Sequence, residues 1–257
     1  MDLRDLLGID LRIIQAPMAG VQDSALAVAV SNAGGLGSLP CAMLSPDEIR
    51  CQVSAIAEHA RGPCNLNFFC HRPAHYDEAR ELAWRRRLQP FYHELGVDPG
   101  SMVPAGGRAP FNQSALELVE ELRPPVVSFH FGLPADELLA RVKATGAKVL
   151  ASATTVAEAL WLEAKGIDAI IAQGLEAGGH RGMFLGAGDK ALVDQLDSQM
   201  GTLALVRQVV QRVALPVIAA GGIADAAGVA AAKALGAAGV QSGTAYLLCP
   251  EAKTSAV

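Results

Sequence analysis

Two imidazoles and a guanidinium stand just beyond apolar runs, where a sheet-forming chain would hold them at its rim. His180 and Arg181 follow the run Ala169-Ile170-Ile171-Ala172-Gln173 and the segment Gly174-Leu175-Glu176-Ala177-Gly178-Gly179, with Gly182 next. Four apolar residues in a row suit a strand covered on both faces, and glycines after it let backbone approach a bound group closely. A surface histidine in an ordinary loop is the bland alternative. His130 closes the run Val126-Val127-Ser128-Phe129 and is flanked by Phe129 and Phe131. Apolar neighbours keep an imidazole neutral, and a neutral imidazole near pH 7 is a competent general base. A core histidine bonded to backbone is the competing reading here. His180 with Arg181 suits an anionic substrate.

Other segments suit binding rather than proton transfer. Ala219-Ala220-Gly221-Gly222-Ile223 and Gln241-Ser242-Gly243-Thr244 offer backbone N–H groups and hydroxyls to a monoester phosphate. Gln15-Ala16-Pro17-Met18-Ala19-Gly20 has no titratable group and suits a flat cofactor, while the amides of Asn67 and Gln173 can donate to and accept from a heteroaromatic ring. Each motif alone also fits helix–sheet packing or a satisfied core amide. No Ser-His-Asp order, metal-ligand cluster or carboxylate pair stands out, so no metal is expected and the chemistry falls to a cofactor.

Positioning these groups requires a regular frame. Short apolar runs recur at 13–19, 36–39, 65–69, 126–131, 148–153, 169–173, 217–220 and 240–247, giving eight strands. Helical patterns separate most of them. Ser45-Pro46-Asp47-Glu48 reads as an N-cap with a capping box, and Gly34, Gly146, Gly166 and Gly236 sit where helices end. Apolar stripes are predicted through Val156, Ala159, Leu160 and Glu163, and through Leu203, Val206, Val209, Val210 and Val213. Eight βα repeats without a reversal signal favour an α/β (β/α)8 TIM barrel over an open doubly wound sheet.

Two irregularities modify this barrel. Residues 71–125 exceed one crossover and contain a helical stretch near 76–95, then Pro104-Ala105-Gly106-Gly107-Arg108-Ala109-Pro110. They are predicted as an insertion between strands 3 and 4, a lid over the barrel mouth, between barrel segments 1–70 and 126–257. Few residues follow the eighth strand, so the eighth helix and a C-terminal segment are expected to be missing. The stripe thus left between the first and seventh helices invites association or instability, a homodimer being the form association would take.

Composition narrows the classes. Hydrophobic residues make up 51% and charged residues 18%, so the chain can bury a core and carries no disordered tract. Net charge is −5, and the one arginine run, Arg85-Arg86-Arg87, reads as a solvated helix face, so no nucleic-acid partner is expected. Five cysteines without a C-x-x-C pair argue against disulfides or zinc and suit a reducing cytoplasm. The N-terminus lacks the order of a signal peptide and no apolar run reaches membrane-spanning length, so no membrane partner is expected.

Taken together, Gln15–Gly20, Ser128–Gly132, Gln173–Gly182 and Ala219–Ile223 closely resemble the nitronate monooxygenase family, across nearly the whole chain. The resemblance implies an FMN enzyme that oxidises alkyl nitronates such as propionate 3-nitronate with O2, giving nitrite and a carbonyl compound by single-electron transfers through the flavin. It implies His130 as the active-site base and His180 as the second, substrate-facing histidine. It places Pro17, Met18, Ala19, Asn67, Gln173, Gly178, Gly179, Gly221, Gly222, Gln241, Ser242, Gly243 and Thr244 at FMN. Family members continue past the last strand, so the substrate pocket is expected to be incomplete. The alternatives are an NAD(P)H-dependent flavin reductase of a quinone or enoyl thioester, and a non-catalytic flavin- or phosphate-binding barrel.

Overall fold

The computed structural model describes residues 2–73, 76–101, 109–186 and 197–255. Eight strands form one parallel sheet: β1 (Ile13–Gln15), β2 (Gly37–Pro40), β3 (Cys64–Phe69), β4 (Val126–His130), β5 (Lys148–Ala153), β6 (Ala169–Gln173), β7 (Val217–Ala220) and β8 (Gly239–Ser242). From β2 to β8 each strand pairs with the next, and β8 returns to β1. A bridge between Ile14 and Leu36 joins β1 to β2 and closes the barrel.

The helices are α1 (Leu3–Leu7), α2 (Ser24–Asn32), α3 (Pro46–His59), α4 (Glu78–Glu94), α5 (Gln113–Leu122), α6 (Asp136–Ala144), α7 (Val156–Ala164), α8 (Thr202–Val210) and α9 (Ala226–Ala234). Their ends follow the local chemistry. Ser45 and Glu48 form the expected capping box on α3. Gly34, Gly146, Gly166 and Gly236 adopt left-handed φ just past α2, α6, α7 and α9.

Two apolar layers hold the barrel. Ile14, Leu36, Val126, Leu150, Ala169, Ile171, Ile218 and Ala220 cluster with Leu3, Leu6, Leu7 and Ile9, so α1 and the turn after it pack onto the barrel's own core. The alternate strand residues, including Val127, Phe129, Val149, Ile170 and Val217, pack outward with the helices.

The β1–β2 seam has little ladder and is completed by amides. Gln15 N donates to the Leu36 carbonyl at 2.9 Å, and the Ser38 N–H donates to Gln15 Oε1 at 2.9 Å. Buried Gln22 donates to the Ser38 carbonyl at 2.6 Å, and its Oε1 accepts from Gln15 Nε2 at 2.6 Å and from Met18 N at 2.8 Å. The same pair therefore closes the barrel and fixes the loop after β1.

Several sequence expectations shift. β1 ends at Gln15 rather than residue 19, because Pro17 has no N–H for a ladder. β8 ends at Ser242, and Thr244–Leu248 turn into a 3-10 helix. The buried stripe of α8 is Thr202, Leu205, Val206 and Val209, leaving Leu203 exposed, and that of α7 is Glu158, Ala159 and Leu162. The helical period was legible but its phase was displaced. Among the described residues no α-helix follows β8, and an apolar groove of about 190 Å³ runs along α2, lined by Leu11, Ile13, Leu26, Val30, Tyr246 and Cys249.

The chain divides into a body of residues 1–71 and 110–257 and a unit of residues 72–109. The body includes α5, the crossover helix between β3 and β4, which packs on α3 and α6. In the smaller unit Asp77 caps α4, no α4 residue is buried, and residues 102–108 of the Pro- and Gly-bearing loop lie outside the described residues. No helix among the described residues is long and apolar enough to cross a membrane.

Gln22→Ala leaves the Ser38 carbonyl and the Met18 N–H unpaired in the seam. The expected outcome is a stability loss of about 1–3 kcal/mol, seen as a lower urea midpoint at unchanged m-value.

Candidate active site

The C-terminal ends of β1, β6, β7 and β8 bring four loops together. The Ala16 N–H donates to the Ser242 carbonyl at 2.7 Å, so the loop carrying Pro17, Met18 and Ala19 lies beside that carrying Gly243 and Thr244. A Cβ on Gly243 would sit 3.5 Å from Met18 Sδ, and one on Gly178 would sit 3.7 Å from Thr244 Oγ1. Ser242 Oγ donates to the Ile223 carbonyl at 2.9 Å, tying the loop after β7 to β8.

Gly221 has φ 124°, and a Cβ there would meet Thr202 Oγ1 at 2.6 Å and Ala177 N at 2.8 Å. Only glycine lets the loops after β6 and β7 touch in this way. Their consequence is a set of open donors. Among the described residues the N–H groups of Gly178, Gly179, Gly221 and Gly222 have no protein acceptor. Clustered amides without acceptors form an anion site.

The loop after β6 is held by polar groups on both sides. Gln173 Nε2 donates to the His180 carbonyl at 2.9 Å, and Gln173 Oε1 accepts from Gly182 N at 2.8 Å. This leaves the Gln173 amide one hydrogen for a ligand. Arg181 donates to the carbonyls of Gln173 at 2.9 Å and Gly174 at 2.6 Å. The guanidinium therefore staples the loop to its strand instead of reaching for an anionic substrate, as its position in the sequence suggested.

Two carboxylates complete the docking. Glu158 is 2% exposed; Oε2 accepts from Thr154 N and Oγ1 at 2.6 and 2.8 Å, and Oε1 from Phe184 N and Leu185 N at 2.7 and 3.2 Å. Glu176 Oε2 accepts from Thr202 N at 2.7 Å and Thr202 Oγ1 at 2.8 Å, capping α8 where Gly201 has no side chain to do so. Partial burial pushes the Glu176 carboxyl up, but its bonds from Thr202 outweigh this and hold it below the usual range.

Across the mouth stand Asn67 on β3 and His130 on β4, where Asn67 is in register with Ser128 and His130 with Phe69. Asn67 Nδ2 donates to Ser128 Oγ at 2.9 Å and to the Ser128 carbonyl at 3.3 Å, and beside it Asn65 Oδ1 is buried without a partner. Gln241 Oε1 is buried without a partner. Such acceptors fit a heteroaromatic ring that carries N–H, and the open glycine amides fit its phosphate. The residues present thus suit a flavin mononucleotide.

His130 Nδ1 lies 2.6 Å from Ser152 Oγ and Nε2 lies 3.2 Å from the His180 carbonyl. Burial pushes its pKa down from 6.5 to about 4; the bond with the His180 carbonyl opposes this, and the charges of His180 and Arg181 add to the lowering. Phe131 has φ 67°, a strained value for a bulky residue, and its ring centroid lies 4.4 Å from that of His130. A Cβ on Gly182 would lie 2.6 Å from His130 Cε1, so the loop passes directly over the imidazole edge. His180 is exposed, with its ring 5.4 Å from Phe69 and 5.8 Å from Phe131.

The structure therefore brings the sequence-predicted residues to one mouth, in two arcs. Sequence reasoning missed Ser152, Glu158 and Glu176. For Glu158 the available signal was its place three residues after the N-cap Thr155, a helix-start pattern; Ser152 lay in an apolar strand with no signal. Among the described residues no cluster of three His, Cys, Asp or Glu could hold a metal ion.

The profile of the family described as nitronate monooxygenase matches residues 1–257. Nitronate monooxygenases of Paraburkholderia phytofirmans and Pseudomonas aeruginosa are 48% and 46% identical, over 97% and 98% of this chain and 66% and 70% of their own length. The chain thus spans about two thirds of these relatives. A nitroalkane oxidase from Streptomyces ansochromogenes superposes with a TM-score of 0.86 at 36% identity, covering 98% of this chain and 70% of that one. FabK from Thermotoga maritima gives 0.72 at 30% identity, covering 98% and 64%.

Because the folded His130 titrates near 4 and the unfolded one near 6.5, unfolding takes up a proton between those values. Stability is full above about pH 6.5 and is expected to fall as pH drops towards 4. His130→Gln should flatten that part of the stability curve, which urea unfolding at stepped pH would measure.

Proposed function

The chain belongs to the nitronate monooxygenase family, and from that premise we propose that it oxidises alkyl nitronates, such as propionate 3-nitronate, with O2 to a carbonyl compound and nitrite. The observation that carries the reading is the pairing of open glycine amides at 178–179 and 221–222 with two histidines across the same mouth. FMN is the proposed cofactor; bound there, it supplies one-electron transfer between the nitronate and oxygen. Gly178, Gly179, Gly221, Gly222, Gly243 and Thr244 would hold its phosphate, and Pro17, Met18 and Ala19 would support its ring. Asn67, Gln241 and the remaining Gln173 hydrogen would meet the ring edge, while Ser242 ties the loop after β7 to β8.

His130 and His180 are proposed to face the substrate. His180, exposed on the loop after β6, is placed to exchange a proton with substrate or solvent. Phe69 and Phe131 wall the site between the imidazoles and exclude water from that side, which strengthens polar contacts made there. Arg181 and Glu158 act indirectly by fixing the loop.

The likeness to FabK sets one reading beside this, an NAD(P)H-dependent flavin reductase. Anaerobic addition of propionate 3-nitronate to the purified flavoprotein separates the two. The expected result is loss of flavin absorbance with nitronate and none with NADH, then nitrite release when O2 is admitted. His180→Asn should lower kcat/KM about 100-fold with flavin still bound, the range for a lost proton-transfer group. Rapid bleaching by NADH alone would establish the reductase, and bound flavin inert to both would establish a binding protein.

A further inference from the structure

The hydrogen bonds of His130 determine which of its nitrogens carries the proton. The His180 carbonyl, 3.2 Å from Nε2, can only accept, so Nε2 bears hydrogen. A neutral imidazole has one N–H, so Nδ1 holds a lone pair and must accept from Ser152 Oγ at 2.6 Å. Ser152 has a single proton and two acceptors in range, Nδ1 and the Phe129 carbonyl at 3.4 Å. The shorter contact takes it.

We propose that Ser152 is a positioning residue that holds His130 in the Nε2–H form, so that His130 meets the substrate as a neutral hydrogen-bond donor. This replaces the base role expected from the sequence, and it rests on the nitronate reading only for the identity of the substrate. The chemistry agrees with it. A nitronate is already deprotonated at carbon and carries its charge on two oxygens, which call for donors; a base there has no proton to remove. A neutral donor also keeps its proton, which an imidazolium in so apolar a pocket would not.

The surroundings prevent the ring from exchanging its nitrogens. Ser152 is 6% exposed on β5 and fixed by the strand register beside β6. Phe131 and the backbone of Gly182 confine the imidazole from two further sides. A nitronate oxygen arriving at this face competes with the His180 carbonyl, a long partner, for the Nε2–H.

The test uses flavin-loaded protein labelled with ¹⁵N-histidine, assigned with His130→Gln, and two-bond ¹H–¹⁵N spectra at neutral pH. Wild-type His130 is expected to show a protonated Nε2 and an unprotonated, hydrogen-bonded Nδ1. In Ser152→Ala the Nδ1 resonance should move to that of a lone pair without a donor, and kcat/KM for propionate 3-nitronate should fall about tenfold. Ser152→Thr should restore both. A wild-type spectrum with the proton on Nδ1 overturns the proposal without recourse to any variant, as does an Nδ1 resonance that Ser152→Ala leaves in place. The expected tautomer in a protein that turns over no nitronate upholds the Ser152 assignment and removes the substrate reading alone. Nitronate turnover with the opposite tautomer does the reverse.

Discussion

A glycine-bearing loop cannot anchor itself, and the site depends on how residues 174–185 are docked onto the barrel. Four side chains do this: Glu158 receives two N–H groups of the loop, Gln173 bonds it on both amide atoms, Arg181 bonds two strand carbonyls, and Glu176 caps α8. Bonds to charged groups each contribute about 1.5–3 kcal/mol net, roughly twice the value between neutral groups. Three of the four anchors are charged. Because Glu158 and Arg181 are held within largely protein surroundings, removing either one leaves groups unpaired and costs more than the bond itself contributed.

That docking frees backbone for the ligand. Glycines at 178, 179, 221 and 222 expose N–H groups because side chains elsewhere carry the loop. The same division appears at β1, where Gln15 and Gln22 close the seam and fix Met18 with their amides, leaving the surface of Pro17–Ala19 without a charged or titratable group. Strand ends supply position, buried amides and carboxylates supply rigidity, and bare backbone supplies recognition.

The eight-strand frame was legible because each parallel strand is buried on both faces and reads as a short apolar run between glycines, as Ala169–Gln173 does. Helix phase was less so: in α8 Leu203 looks like a core residue, but packing on β6 and β7 turns it outward and buries Thr202. At the site, His130 and His180 were visible from their positions after strands. The work of Ser152 and Glu158 was not, since a serine in an apolar strand and a glutamate in a helix are ordinary until the fold brings them against His130 and Phe184. Arg181 was misjudged for a related reason: sequence places a guanidinium near the mouth but cannot show that neighbouring carbonyls have already engaged it.

On the proposed reading, the loops after β6 and β7 form one preformed anion cradle, held by side chains and lined by backbone. A crystal structure of the flavin-loaded protein tests it most directly. The phosphate is expected within hydrogen-bond distance of the Gly178, Gly179, Gly221 or Gly222 amides, with the Glu158, Gln173 and Arg181 contacts unchanged. A phosphate bound elsewhere, or a loop that abandons those contacts to reach it, would contradict the account.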